Sequence, residues 1–247
     1  MIELQDLRLS YNHHRVLDGI NFKAHFYEKI AILGESGEGK TTILKLLLCL
    51  ARPDGGRIII DGRDITFLRE SELLDSRKKF SIVFQDGALF DSLDVKENVA
   101  FCMREFSTLS EDEIENRTRE FLRRVGIEEA IHLMPDELSG GMQRRAAIAR
   151  SLAACEPEMM LYDEPTSGLD PITADNICNL INELSAGTPP GRRGLIIVTH
   201  DVEAAVRVAE RFLYLKDGKI VFDGSLDALT HAGDPGLRKF IKGLLPR

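Results

Sequence analysis

The chain has 247 residues, with 32 Lys and Arg against 40 Asp and Glu, a formal net charge of −8, and 43 % hydrophobic residues. That length holds one large domain or two small ones, and the apolar content supports a proper core, which excludes disorder and collagen-like repeats. An acidic chain with no long basic run lacks the Lys/Arg surplus that neutralises phosphate, so no nucleic-acid partner is expected.

The longest apolar run, Ile43 to Ala51, is broken by Lys45 and falls far short of the ~20 residues that cross a bilayer, so no membrane span is expected. The opening MIELQDL carries Glu3 and Asp6 with no basic region before an apolar stretch, unlike a secretory signal. Cys49, Cys102, Cys155 and Cys178 are scattered without a C-x-x-C pair and read as buried reduced thiols of a cytoplasmic protein.

In chain order, Ile2, Leu4, Leu7 and Leu9, then Ile20, Phe22, Ala24 and Phe26, alternate with the period of half-buried strands and predict an antiparallel sheet. Lys29 to Leu33 is a short apolar strand that runs into the glycine-rich Gly34 to Thr42, and Ile43, Leu44, Leu46 and Leu47 follow at helical spacing. A break at residues 52 to 56 precedes another strand and turn at 57 to 62. From Asp94 to Glu137 the texture turns helical and charged, with Ser110 and Glu113 forming a capping box before Ile114, Phe121, Leu122 and Val125 on one face. A second helix spans Gly141 to Cys155, so residues 94 to 155 are expected as a helical insert in a single domain of residues 1 to 247. Strands at Met159 to Tyr162 and Leu195 to Thr199 flank a helix after Pro171 and a loop at 187 to 194. Strands alternating with helices predict an α/β fold around a parallel sheet covered on both faces.

Gly34-Glu35-Ser36-Gly37-Glu38-Gly39-Lys40-Thr41, followed by Thr42, satisfies G-x-x-x-x-G-K-[ST]. Glycines let the backbone wrap its N–H groups around a phosphate, the helix start adds partial positive charge, Lys40 reaches the β/γ oxygens and Thr41 ligates Mg²⁺. A chance glycine turn would lack the strand before and the helix after. Glu35 and Glu38 would repel a nucleotide unless both carboxylates turn outward to solvent. Met159 to Tyr162 ends in Asp163 and Glu164, an acid for the metal and an acid to orient or deprotonate water; alone, any solvated turn could supply such a pair.

With these motifs in this order the chain resembles the ATP-binding cassette (ABC) ATPases over essentially its full length, a P-loop fold with a mixed sheet core, an antiparallel β subdomain and an α-helical subdomain. The resemblance implies ATP and Mg²⁺ as cofactors and hydrolysis coupled to transport. Leu138 to Gln143 corresponds to the family's signature motif, in which Ser139, Gly140 and Gly141 bind the γ-phosphate held by the other subunit of a homodimer. Ser139 as a plain helix cap is compatible with that role. Gln85 matches the glutamine that touches Mg²⁺ and senses the permease, Asp170 the loop that communicates across the dimer, and His200 the switch histidine at the γ-phosphate. Tyr11 matches the aromatic that stacks on adenine, although a strand tyrosine is commonly core.

Gln85 to Phe101, with Gly87-Ala88-Leu89-Phe90 after the glutamine, resembles the MlaF-like ATPases of bacterial MCE-type lipid-transport systems, as does the end of the chain, residues 232 to 247 with Asp234 to Phe240 and Gly243. That implies permease and MCE lipid-binding partners, and a peripheral place on the cytoplasmic face of the inner membrane. Alternatively, the Ala88 to Phe90 loop is buried under the helical insert and the tail is an ordinary closing helix. A small-solute importer or exporter shares the same motifs. DNA-repair relatives carry a long coiled coil and translation factors two cassettes, and this sequence has neither. A cassette that binds without hydrolysing would not keep Lys40, Gln85, Glu164 and His200 together.

Overall fold

The short apolar runs become strands buried on both sides. In the computed structural model, which describes residues 1–153, 157–186 and 193–242, the central sheet is built from β3 (Lys29–Leu33), β6 (Phe80–Val83), β7 (Met159–Asp163), β8 (Gly194–Thr199), β9 (Arg211–Lys216) and β10 (Lys219–Gly224). The order is β10-β9-β3-β8-β7-β6, parallel from β9 to β6 and antiparallel only at the β10 edge. Side chains alternate: Ala31, Leu33, Tyr162, Leu195 and Ile197 enter one apolar layer. Ile30, Ile32, Leu161, Ile196 and Val198 enter the other. Burial on both faces is why these strands read as unbroken apolar runs.

The two layers are closed differently. On one side lie α3 (Val95–Phe106), α4 (Glu111–Arg124), α5 (Gly140–Ala153), α6 (Pro171–Ala186) and α7 (Val202–Val208). On the other, α1 (Lys40–Leu47) lies beside a wholly antiparallel sheet of β1 (Ile2–Tyr11), β2 (His14–Ala24), β4 (Gly55–Ile60) and β5 (Arg63–Asp64), in the order β2-β1-β4-β5. Covering by helices is therefore complete on one face only. The period-two pattern of Ile2, Leu4, Leu7 and Leu9 gives the first sheet an apolar face that caps the second layer. A short α2 (Glu70–Arg77) follows, and Arg77 donates to the carbonyls of Leu48 and Cys49 at the end of α1.

The capping box before α4 is present, with Ser110 N donating to Glu113 Oε2 at 2.8 Å and Glu113 N to Ser110 Oγ at 3.4 Å. Of the thiols, Cys178 is buried and its pKa is pushed up to about 11 by desolvation, whereas Cys49 and Cys102 are only half-buried, because they sit at a helix end and on an outer helix face. Cys155, most of the 187–194 loop and Gly243 lie outside the described residues. A short α8 (Leu226–Thr230) precedes the tail, whose described part forms α9 (Pro235–Phe240), with Leu237 and Ile241 buried and the Phe240 ring 5.2 Å from that of Tyr214. Among the described residues no helix is long and apolar enough to cross a membrane.

One buried polar side chain organises the loop ahead of α3. Asn98 is 0 % exposed. Its Oδ1 accepts from Phe90 N at 2.8 Å, while Nδ2 lies 3.1, 2.9 and 3.0 Å from the carbonyls of Phe90, Leu93 and Asp94. A fully satisfied amide in this position fixes the loop as a backbone ladder would. Asn98→Leu should strand those backbone groups at a cost of about 2–4 kcal/mol, read as a lowered urea midpoint; an unchanged midpoint would show that the loop is held elsewhere.

Candidate functional site

The cleft forms where β3 hands over to α1. Gly37 and Gly39 take φ of 89° and 96°, and a Cβ on Gly34 would stand 2.6 Å from the Leu215 carbonyl oxygen, so this turn tolerates little but glycine there. The first α1 bond runs from Ile43 N to Gly39 O, leaving the N–H groups of Lys40, Thr41 and Thr42 without a partner inside the helix. These donors, with Ser36, Gly37 and Gly39, face a cleft of about 370 Å³ that is also lined by Tyr11, Val16, Gln85 and Glu164. Partial positive charge at a helix start and converging N–H donors make an anion site.

Lys40 is buried, and its Nζ donates to the carbonyls of Gly34 at 2.9 Å and Glu35 at 3.0 Å. Its third direction points to Glu164, 3.6 Å away. Thr41 Oγ1 donates to Asp163 Oδ1 at 2.9 Å. Burial raises the Asp163 pKa, with the Thr41 hydrogen bond acting against that shift. β8 separates β3 from β7, so the loop and the acids meet across one intervening strand end, and that strand contributes too. Thr199 Oγ1 donates to Glu164 Oε2 at 2.8 Å, and His200 reaches the same carboxylate through its N–H at 3.1 Å and through Nδ1 at 3.0 Å. Glu164 itself sits at φ 46° and is 8 % exposed.

Tyr11 is 47 % exposed at the lip of the cleft, so the reading of a buried strand tyrosine is set aside: at the end of β1 its ring has left the core. Glu35 is exposed, as expected. The expectation that Glu38 turns to solvent is corrected: it is half-buried and Oε2 accepts from Asp217 N at 2.6 Å. Gln85 lies in the turn after β6, which ends at Val83, and it also walls a second cleft lined by Gly140, Gln143, Arg144 and Ser167. Ser139, Gly140 and Gly141 do not line the phosphate cleft of their own chain. Ser139 caps α5, with Met142 N donating to its Oγ at 3.3 Å, and Ser139 and Gly140 are exposed. Asp170 caps α6, its carboxylate held below the usual range by the hydroxyl and N–H of Thr173.

A model of the ABC transporter family matches residues 17–167. The chain belongs to this family. It is 38 % identical over 244 residues to the intermembrane phospholipid transport system ATP-binding protein MlaF of Escherichia coli K12, covering 99 % of this chain and 89 % of that protein. It is equally 38 % identical, over 257 residues, to Protein TRIGALACTOSYLDIACYLGLYCEROL 3, chloroplastic, of Arabidopsis thaliana, covering 99 % and 74 %. Among solved structures, a dimeric post-hydrolysis state of an ATP-binding cassette bound to ADP and Pi superposes with a TM-score of 0.82 at 33 % identity, covering 92 % of this chain and 99 % of that one. This ABC ATPase has the fold expected of it, and it is an ATP-hydrolysing transport subunit.

Two residues of the cassette escaped the motif reading. Arg144 Nη1 donates to the Phe84 carbonyl at 2.8 Å, joining α5 to the residue before Gln85. Thr199 is a buried hydroxyl in an otherwise apolar strand, and that break in the pattern just before His200 was the available signal. Thr199→Val is isosteric and removes one donor from Glu164. It should lower kcat about tenfold or more while ATP affinity stays within about threefold, as read by ATPase titration; a parent-like kcat would remove Thr199 from the network.

Proposed function

We propose that this chain is the ATP-hydrolysing subunit of a phospholipid transporter, with Glu164 as the general base that activates water. The carrying observation is the buried Glu164 carboxylate, on which Lys40, Thr199 and His200 converge at the floor of the anion cleft. A carboxylate so held is aimed rather than free, and its position beside Lys40 supports a role next to the terminal phosphate.

In this reading the N–H groups of Gly37 to Thr42 and the Lys40 ammonium hold the β- and γ-phosphates, and Tyr11 stacks on the base. His200 hydrogen-bonds the γ-phosphate from the exposed side of the cleft. The residues fit Mg²⁺: a hydroxyl and a carboxylate, hard oxygen donors already 2.9 Å apart, stand below the phosphate site with the Gln85 amide near by. Thr41, Asp163 and Gln85 would hold the ion, which when bound neutralises charge on the phosphate oxygens. Lys40 Nζ also donates hydrogen bonds to the Gly34 and Glu35 carbonyls, which orient the ammonium toward the cleft.

Ser139, Gly140 and Gly141 present a capped helix start to solvent, away from their own cleft. In a homodimer they would meet the γ-phosphate of the partner's cleft, which supports the composite-site arrangement. Transport itself belongs to integral-membrane permease subunits, with an MCE lipid-binding protein beyond them and this chain peripheral on the cytoplasmic face of the inner membrane. Near-full-length similarity to MlaF supports phospholipid as the cargo. An apolar groove of about 460 Å³ beside the turn of Gln85 supports the docking of a permease helix. Leu89 packs inward, but Phe90 is 42 % exposed, its ring 4.8 Å from that of Phe101 and 5.5 Å from the Arg150 guanidinium.

Phe90→Asp should leave the soluble chain folded and abolish its co-purification, from detergent-solubilised membranes, with a multi-spanning permease and an MCE protein. The parent complex should show ATPase activity that responds to added phospholipid. A complex with no MCE subunit and no response to phospholipid would overturn the lipid reading.

A further inference from the structure

We propose that the turn Asp217–Gly218 between β9 and β10 is a strut joining the phosphate loop to the sheet that carries Tyr11, and that Glu38 is the positioning residue that ties the loop to it. Resting on the nucleotide site proposed above, the strut would set the separation between phosphate and base contacts.

Three observations carry it. Glu38 Oε2 accepts the Asp217 N–H at 2.6 Å across 179 residues of sequence, a short hydrogen bond to a side-chain carboxylate oxygen. The same turn is seated on β2: Gly218 O accepts the Asp18 N–H at 2.8 Å, and Lys219 Nζ lies 3.5 Å from the Asp18 carboxylate. The fit there is close, since a Cβ on Gly218, at φ 70°, would stand 2.8 Å from the Val16 carbonyl oxygen. Val16 in turn borders the loop, where a Cβ on Gly39 would meet its Cγ1 at 2.8 Å, and it lines the cleft together with Tyr11. The loop is thus braced at Gly34 against the Leu215 carbonyl and at Glu38 against Asp217, both on the β9 side.

The arrangement also answers the electrostatic difficulty of an acid in an anion-binding loop. Engaged with Asp217, the Glu38 carboxylate does not line the cleft; released, it could rotate toward the phosphates and repel them. A carboxylate that is merely tolerated makes the opposite forecast from a tie, because removing a tolerated charge tightens ATP binding whatever replaces it.

The test is a comparison of Glu38→Ala, Glu38→Gln and Gly218→Ala in the full chain, reading steady-state ATPase kinetics together with hydrogen exchange at the Asp217 amide. Gln keeps an acceptor oxygen without the charge. Glu38→Ala should raise the KM for ATP about three- to tenfold with kcat within about twofold, and Glu38→Gln should bring KM back to within about twofold of the parent. Exchange at Asp217 should rise about tenfold in Glu38→Ala alone. Gly218→Ala, which leaves the phosphate loop sequence intact, should reproduce the KM rise. A fall in KM in both Glu38 variants, or Asp217 exchange unmoved by Glu38→Ala, would overturn the tie. Exchange is read without nucleotide, so it tests the tie even in protein that binds none, whereas a parent chain that fails to bind ATP would overturn the nucleotide site itself and the strut's role in it.

Discussion

Everything at this site depends on holding one carboxylate by fixed partners in a place where water is scarce. Glu164 is almost wholly buried, and desolvating an ion costs several kcal/mol unless partners replace its hydration. Here the replacement comes from the Lys40 ammonium, the Thr199 hydroxyl and two His200 groups. Lys40 has the mirror-image difficulty, which the Gly34 and Glu35 carbonyls relieve. Left-handed backbone at Glu164 adds a strain of about 1–3 kcal/mol. The bond from Glu164 N to the Val198 carbonyl at 2.9 Å helps to hold the backbone in that conformation. Strain and buried charge are both concentrated where the strand ends, which is where a reacting group has to be aimed.

The sheet order makes that concentration possible. β3, β8 and β7 are neighbours, and their carboxyl ends deliver the phosphate loop, Thr199 with His200, and Asp163 with Glu164 to one edge. Two apolar layers hold those ends in register: helices on one face, α1 and the antiparallel sheet on the other. The second layer also brings Tyr11 and Val16 over the loop, so base and phosphate contacts share one rigid support. The helical layer carries Ser139 and the Phe90 groove away from the cleft, to surfaces that other molecules can reach.

Local features were legible in the sequence. Gly34 to Thr42 lies between its strand and helix, and Asp163 and Glu164 end a buried strand, because nearest-neighbour sterics and hydrogen bonding decide such turns. The Ser110–Glu113 box was legible for the same reason. Long-range partners were not. Glu38 finds an N–H 179 residues away, and nothing in its own neighbourhood distinguishes a bonded carboxylate from a solvated one. Asn98 reads as an ordinary polar residue in α3 until the loop it holds is folded against it. Periodicity could not say that an antiparallel sheet shares the second face with α1, since strands and helices both cover it with aliphatic side chains. Half-exposed Cys49 and Cys102 sit in apolar stretches whose composition does not reveal which side faces out.

The central claim is that binding and bond cleavage are separate tasks, given to Lys40 with the loop amides and to Glu164 respectively. Single-turnover hydrolysis of bound ATP by Glu164→Gln, with light scattering to follow assembly and Lys40→Ala as the counterpart, tests it most directly. The account predicts that Glu164→Gln binds ATP as the parent does, slows cleavage by about 100-fold or more and accumulates as an ATP-bound dimer, while Lys40→Ala loses most of its ATP affinity. Cleavage by Glu164→Gln at the parent rate would contradict it.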